Sequence, residues 1–187
     1  SEYRPTEYVQ GWLGFWFEPK KRLEVAKRFQ KARITFLEKV WSKDRDLQNE
    51  GFHSDDYDIT QALTTFKANI ESAPTVSKLL QQEAQLTKHL YKVAARRTNL
   101  ESFTRDRNAM DDANAFLNHG NYLAYGLAAT TLWVLGIPHG FAVMHGKTRR
   151  GALVFDVADL IKDALVLPWA FISAKEGCTE QEFRQQC

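Results

Sequence analysis

Apolar residues along Lys20–Trp41 (Val25, Phe29, Ala32, Phe36 and Val40) recur every three or four positions, which predicts an amphipathic helix. Its other faces carry Lys20, Lys21, Arg22, Lys27, Arg28, Lys31, Arg33 and Lys39 against Glu24 and Glu38. Such a surplus serves either as a solvated face or as a contact for phosphates. Ile59, Ala62, Leu63, Phe66 and Ile70 define a second helix, which Asp58 is placed to cap. Pro74 opens a third, Thr75 to about Ala95, striped by Val76, Leu79, Leu80, Leu86, Leu90 and Val93. Stepping along that stripe from Leu79 or Leu80 to Leu86 lands on Glu83. A carboxylate inside a buried face must be neutral, paired or metal-bound. An interhelical salt bridge and a metal site are both open readings of it, and His89, off the stripe, reads as a surface residue.

The basic stretch 96–108, with Arg96, Arg97, Arg105 and Arg107, reads as a connecting loop. After it come a short helix from Asp112 to Asn118 and a long apolar one beyond Gly120. Residues 1–19 are dense in aromatics and helix breakers and read as an irregular lead-in. Strand signals are few, so the expected fold is all-α, one multi-helix domain over residues 1–187.

Between Asn121 and His145 there is no Asp, Glu, Lys or Arg. Gly136 and Pro138 interrupt that run, leaving a helix of about 15 residues, short of the ~20 a bilayer requires. With a mean hydropathy of −0.43 for the chain, a buried core helix is the reading. Lys plus Arg number 25 and Asp plus Glu 23, so the net charge of +2 identifies no partner. Cys178 and Cys187 fit neither zinc spacing nor a disulfide framework and read as free thiols of a reducing cytoplasm. The opening SEYRPTEYVQ is charged and lacks the apolar core of a secretory signal. Ser1 and Cys187 bound no recognisable element, and a fragment of a longer protein is expected.

The apolar run delivers chemistry at its end. His145, Lys147, Arg149 and Arg150 are followed closely by Asp156, Asp159 and Asp163. Gly146–Thr148 imitates a phosphate loop, but its partner glycine is missing at Phe141 and no helix follows the threonine, so nucleotide hydrolysis is excluded. The loop Gly51–Asp58 offers His53, Asp55, Asp56 and Asp58, either a cation cluster or a helix start. Asp156 and Asp159, three apart, share a helix face. One imidazole with two or three carboxylates suits Mg or Mn better than Zn.

The strings DDANAFLNHGNYLAYG and GIPHGFAVMHGKTRRGALVFDVADLIKD resemble the integrase of CRISPR adaptation, CRISPR-associated protein one, and are most similar to its type I-F branch. The similarity runs from YVQGW near Tyr8 through KARITFLEK to Phe171. It implies that Glu83 (EAQLTKHLY), His145 (MHGKTRR) and Asp159 (FDVAD) are the catalytic residues and bind a divalent metal, Mg2+ or Mn2+, with Asp156 as a supporting acid. Lys147, Arg149 and Arg150 would contact DNA phosphates. The implied activity is cleavage of DNA and joining of spacer 3′-hydroxyls to the CRISPR repeat in a prokaryotic cytoplasm. The implied partners are DNA, a second copy of the chain and CRISPR-associated protein two, which type I-F fuses to the nuclease-helicase. The family's N-terminal β-rich dimerisation domain has no counterpart among these residues. The competing expectation is a helical DNA- or protein-binding module without chemistry, its acids paired with Arg149 and Arg150.

Overall fold

The structure, a computed structural model, describes residues 5–100, 102–146 and 150–186. Their regular elements are helical, as expected: α1 (Thr6–Trp16), α2 (Pro19–Trp41), α3 (Arg45–Asn49), α4 (Tyr57–Ser72), α5 (Val76–Arg97), α6 (Asp112–Val134), α7 (Ala152–Ile161), α8 (Leu167–Glu176) and α9 (Glu180–Gln186). A π-helical turn, Lys162–Val166, joins α7 to α8 into one rod. That rod is sandwiched between α2 and α6, with α4 and α5 flanking α2. No described helix is long and apolar enough to cross a membrane.

The α5 stripe is as the sequence implies: Leu79, Leu86, Leu90 and Val93 are buried, and Thr75 caps the helix by accepting from the Lys78 amide at 3.2 Å. On α2 the buried face is rotated one residue from the apolar spacing. It consists of Ala26, Gln30, Arg33, Ile34, Leu37 and Trp41, while Ala32 is exposed. Arg33, expected on a basic outer face, is only 3% exposed. The rotation is tolerated because carboxylates on neighbouring helices neutralise the guanidinium, as buried charge requires.

Residues 6–16 of the supposed irregular lead-in are helical, because Trp12, Phe15 and Trp16 fall on one face and find partners. Trp12 packs edge-to-face on Phe15 and Phe29, and Trp16 on Phe141. Asp58 lies inside the first turn of α4 rather than capping it. It pairs with Arg96 at 2.8 Å, and Asp56 pairs with Arg97, so these acids join α4 to α5.

Gly120 does not break the helix before it, and α6 is continuous from Asp112. A Cβ at this position would sit 2.5 Å from Cγ1 of Val166, so the glycine allows close approach of α6 to the π turn. The turn itself has a local cause. Pro168 has no N–H to return to the Ala164 carbonyl, and the indole of the fully buried Trp41 donates to that oxygen instead, at 3.1 Å. Single π turns of this kind recur where helices carry functional groups.

Candidate active site

The site begins with a carboxylate placed under a loop. Gly151, in the left-handed region at φ 64°, turns the chain into α7, and α7 carries Asp156 fully buried beneath residues 143–145. Oδ2 of Asp156 accepts the amides of Val143 (2.6 Å) and Met144 (3.0 Å), and Oδ1 accepts that of His145 (3.1 Å). The same Oδ1 lies 2.6 Å from Nδ1 of His145. From the other side α1 steadies the loop: Trp12 and Trp16 donate their indole N–H groups to the carbonyls of Phe141 (2.9 Å) and Ala142 (2.7 Å). With Nδ1 committed, Nε2 is turned towards Asp159, whose Oδ2 is 4.0 Å away. The hydrogen bond that His145 donates to Asp156 holds its pKa above the ordinary value against the effect of burial, and the charge of Asp159 adds to the rise.

A second centre lies on α2. Arg33 donates from Nε to Asp163 Oδ2 at 2.6 Å, with Nη2 on the same oxygen. Nη1 donates to Glu83 Oε1 at 2.6 Å, and Nη2 also reaches Thr87 Oγ1 at 2.8 Å. That hydroxyl in turn donates to Glu83 Oε1 at 3.1 Å. Burial works against the Arg33 charge, but Asp163, Glu83 and Asp159 outweigh it and keep the group protonated. Lys162, one turn along from Asp159, pairs with its Oδ1. Burial opposes that ammonium too, and Asp159 prevails, so its pKa is raised.

The structure therefore brings His145, Asp156 and Asp159 together and sets Glu83 with Asp159 in the wall of one small polar cavity. Arg150 is exposed. Lys147 and Arg149 lie outside the described residues, as does Cys187. Described partners of the acids are Arg33, Lys162, His145 and backbone amides, not Arg150. Among the described residues no group of three or more His, Cys, Asp or Glu forms a ready-made metal cluster, and this includes the Gly51–Asp58 loop.

By donor chemistry, carboxylates with one imidazole suit a hard divalent cation, and two of the candidate ligands have the spacing to share one. Two ligand atoms each about 2.1 Å from a shared ion lie no more than about 4.2 Å apart, and His145 Nε2 and Asp159 Oδ2 meet that limit. Each candidate acid commits one oxygen to a protein cation: Oε1 of Glu83 to Arg33, and Oδ1 of Asp159 to Lys162. Every hydrogen bond that Glu83 makes among the described residues uses Oε1. The carboxylates Glu83, Asp159 and Asp163 outnumber the cations Arg33 and Lys162 that pair with them.

Sequence reading missed the parts played by Arg33, Thr87 and Lys162. Arg33 carried the signal that exposed Glu83, a charge inside a buried stripe, but only along the stripe Ala26, Gln30, Arg33, Leu37 and Trp41. Lys162 was legible as the i+3 neighbour of Asp159.

The family described as CRISPR associated protein Cas1 matches residues 14–186. Two curated relatives, each named CRISPR-associated endonuclease Cas1, are 56% identical (Pseudomonas aeruginosa) and 53% identical (Pectobacterium atrosepticum) over 189 aligned residues, covering 100% of this chain. The chain spans 58% of the length of each. A Cas1 protein of Thermotoga maritima superposes with a TM-score of 0.75 at 19% identity, over 97% of this chain and 57% of that one. A casposase bound to integration product superposes with a TM-score of 0.68 at 17% identity, over 93% of this chain and 51% of that one. At these identities the two structures speak for the fold.

Proposed function

The chain belongs to the CRISPR-associated Cas1 family, and from that premise we propose that it is the catalytic domain of a metal-dependent DNA endonuclease and integrase of CRISPR adaptation, of the type I-F branch. In the joining reaction a spacer 3′-hydroxyl attacks a phosphodiester at a repeat boundary. The attacking hydroxyl gives up its proton as a new P–O bond forms, the bond to the displaced strand's oxygen breaks, and that oxygen takes up a proton. With water as the nucleophile the same site cuts DNA.

The observation that carries this reading is the committed imidazole, with Nδ1 on the fully buried Asp156 and Nε2 facing Asp159. A carboxylate behind a histidine fixes its tautomer and aims the far nitrogen, as at metal centres. Glu83, His145 and Asp159 would hold Mg2+ or Mn2+, which when bound lowers the pKa of the attacking hydroxyl and offsets charge on the phosphoryl oxygens. Asp156 acts as the positioning residue behind His145. Lys147, Arg149 and Arg150, following the histidine, contact flanking phosphates as point charges or forks. Exposed Lys20, Arg28 and Lys39 on α2 add longer-range attraction for DNA. The partners are spacer ends and repeat DNA, a second copy of the chain through the family's β-rich domain, and CRISPR-associated protein two.

Glu83→Ala, His145→Ala and Asp159→Ala are expected to abolish DNA cleavage and leave DNA binding largely intact. Crystals soaked in manganese are expected to give an anomalous peak among the three side chains. Cleavage that survives chelator, or survives these changes, overturns the proposal. A second reading, a helical binding module without chemistry, draws on the pairing of Glu83 with Arg33 and Asp159 with Lys162. It predicts DNA binding indifferent to Mn2+ and unfolding, rather than clean inactivation, in the alanine variants.

A further inference from the structure

We propose that Arg33 is a positioning residue that, with Thr87, presents Glu83 to a divalent cation; the inference rests on the metal reading above. The guanidinium is anchored through both Nε and Nη2 on Asp163, which is itself buried. Nη1 donates to Glu83 Oε1 at 2.6 Å and lies at the longer distance of 3.5 Å from Gln30 Oε1. Thr87, one turn along α5, ties the two together: its hydroxyl accepts from Nη2 at 2.8 Å and donates to Oε1 at 3.1 Å. Two donors therefore converge on Oε1 of Glu83, and none of its hydrogen bonds among the described residues uses Oε2.

The arrangement repeats that of Lys162 on Asp159, where one oxygen is held by a protein cation and the other faces His145 Nε2. A guanidinium suits this task better than an ammonium, because its planar fork fixes direction as well as charge. The cation that holds one oxygen of Glu83 is thus the group that aims the other. Removal of such a supporting contact at metal centres typically costs about 10–100-fold in metal affinity. A merely structural Arg33 would change folding stability and leave the affinity of the folded protein unaltered.

The test is Mn2+ binding to the purified protein, followed by electron paramagnetic resonance and calorimetry, with thermal melting in chelator run alongside. Thr87→Val keeps every charge and nearly the same shape while removing the shared hydroxyl; it is expected to fold and to bind Mn2+ about tenfold more weakly. Arg33→Lys keeps the charge without the fork and is expected to bind about 10–100-fold more weakly. Wild-type affinity in folded Thr87→Val overturns the inference alone and leaves the metal reading standing. If wild type binds no Mn2+ and melts identically with and without it, the metal reading falls and takes this inference with it. Arg33→Lys could fail to fold, and Thr87→Val decides the matter in that case.

Discussion

Nδ1 of His145 lies 2.6 Å from Oδ1 of Asp156, a carboxylate with no solvent exposure that also accepts three consecutive loop amides. One side chain thus fixes both the loop and the ring orientation. Asp156→Asn puts an amide where acceptors are needed and leaves buried N–H groups unpaired. The expected cost is about 3 kcal/mol in chemical denaturation, given the strength of hydrogen bonds to charged groups. Cleavage is expected to fall even well below the melting temperature, because the loop no longer holds Nε2 towards Asp159.

The same pair gives opposite pH dependences for stability and activity. The His145 pKa is raised in the folded protein above the ordinary value of about 6.5. Its ion pair therefore stabilises the fold fully below the unfolded pKa, and that contribution is lost as pH rises through the folded one. Ligation through Nε2 needs the neutral ring, so cleavage is expected to fall as pH drops through the raised value. Melting in chelator and cleavage with Mn2+, both followed across pH, should run in opposite directions over that window. A cleavage profile flat between about 5.5 and 8 would refute ligation by His145.

Much of this was legible in the chain, and the reasons for the rest are specific. Glu83 was found because the α5 stripe is otherwise apolar, and Asp156 with Asp159 because their spacing puts them on one face. Arg33 was hidden by its own compensation: a stripe read from apolar residues alone passes over a buried cation whose counter-ions sit on α5 and on the π turn, distant in sequence. Gly120 was read as a break because its close neighbour, Val166, is likewise remote. The α1 helix is obscured by Pro5 and Pro19 among its aromatics, and what holds it is Trp12 and Trp16 on a loop more than a hundred residues away. Periodicity reports the neighbours along a helix, while these three features depend on partners across the fold.

The bond from Trp41 to the Ala164 carbonyl makes the π turn testable. Trp41→Phe keeps an aromatic ring in a fully buried position but leaves that carbonyl without its indole donor. An unpaired buried acceptor costs about 1–3 kcal/mol. Pro168→Ala restores an N–H one helical turn on, so in the double variant part of the loss should be recovered. The four denaturation curves form a cycle, and strict additivity would deny the link between Pro168 and the indole.

Gly120 and Gly126 offer opposite outcomes on a single helix. An alanine Cβ at 120 would meet Val166 Cγ1 at 2.5 Å and Phe183 Cζ at 3.0 Å, whereas at 126 nothing lies within 4 Å. Replacing glycine by alanine inside a helix gains about 1 kcal/mol from backbone entropy. At 126 that gain stands alone, and Gly126→Ala should raise the melting temperature without altering cleavage. At 120 overpacking costs about 1–3 kcal/mol and outweighs it. The displaced group, Val166, closes the turn that carries Lys162 and Asp163. Strain there is relieved most readily by moving the turn, which shifts the partners of Asp159 and Arg33. Gly120→Ala is therefore expected to lower both stability and cleavage, and a variant that melts lower yet cleaves at the wild-type rate would show that the turn does not position the site.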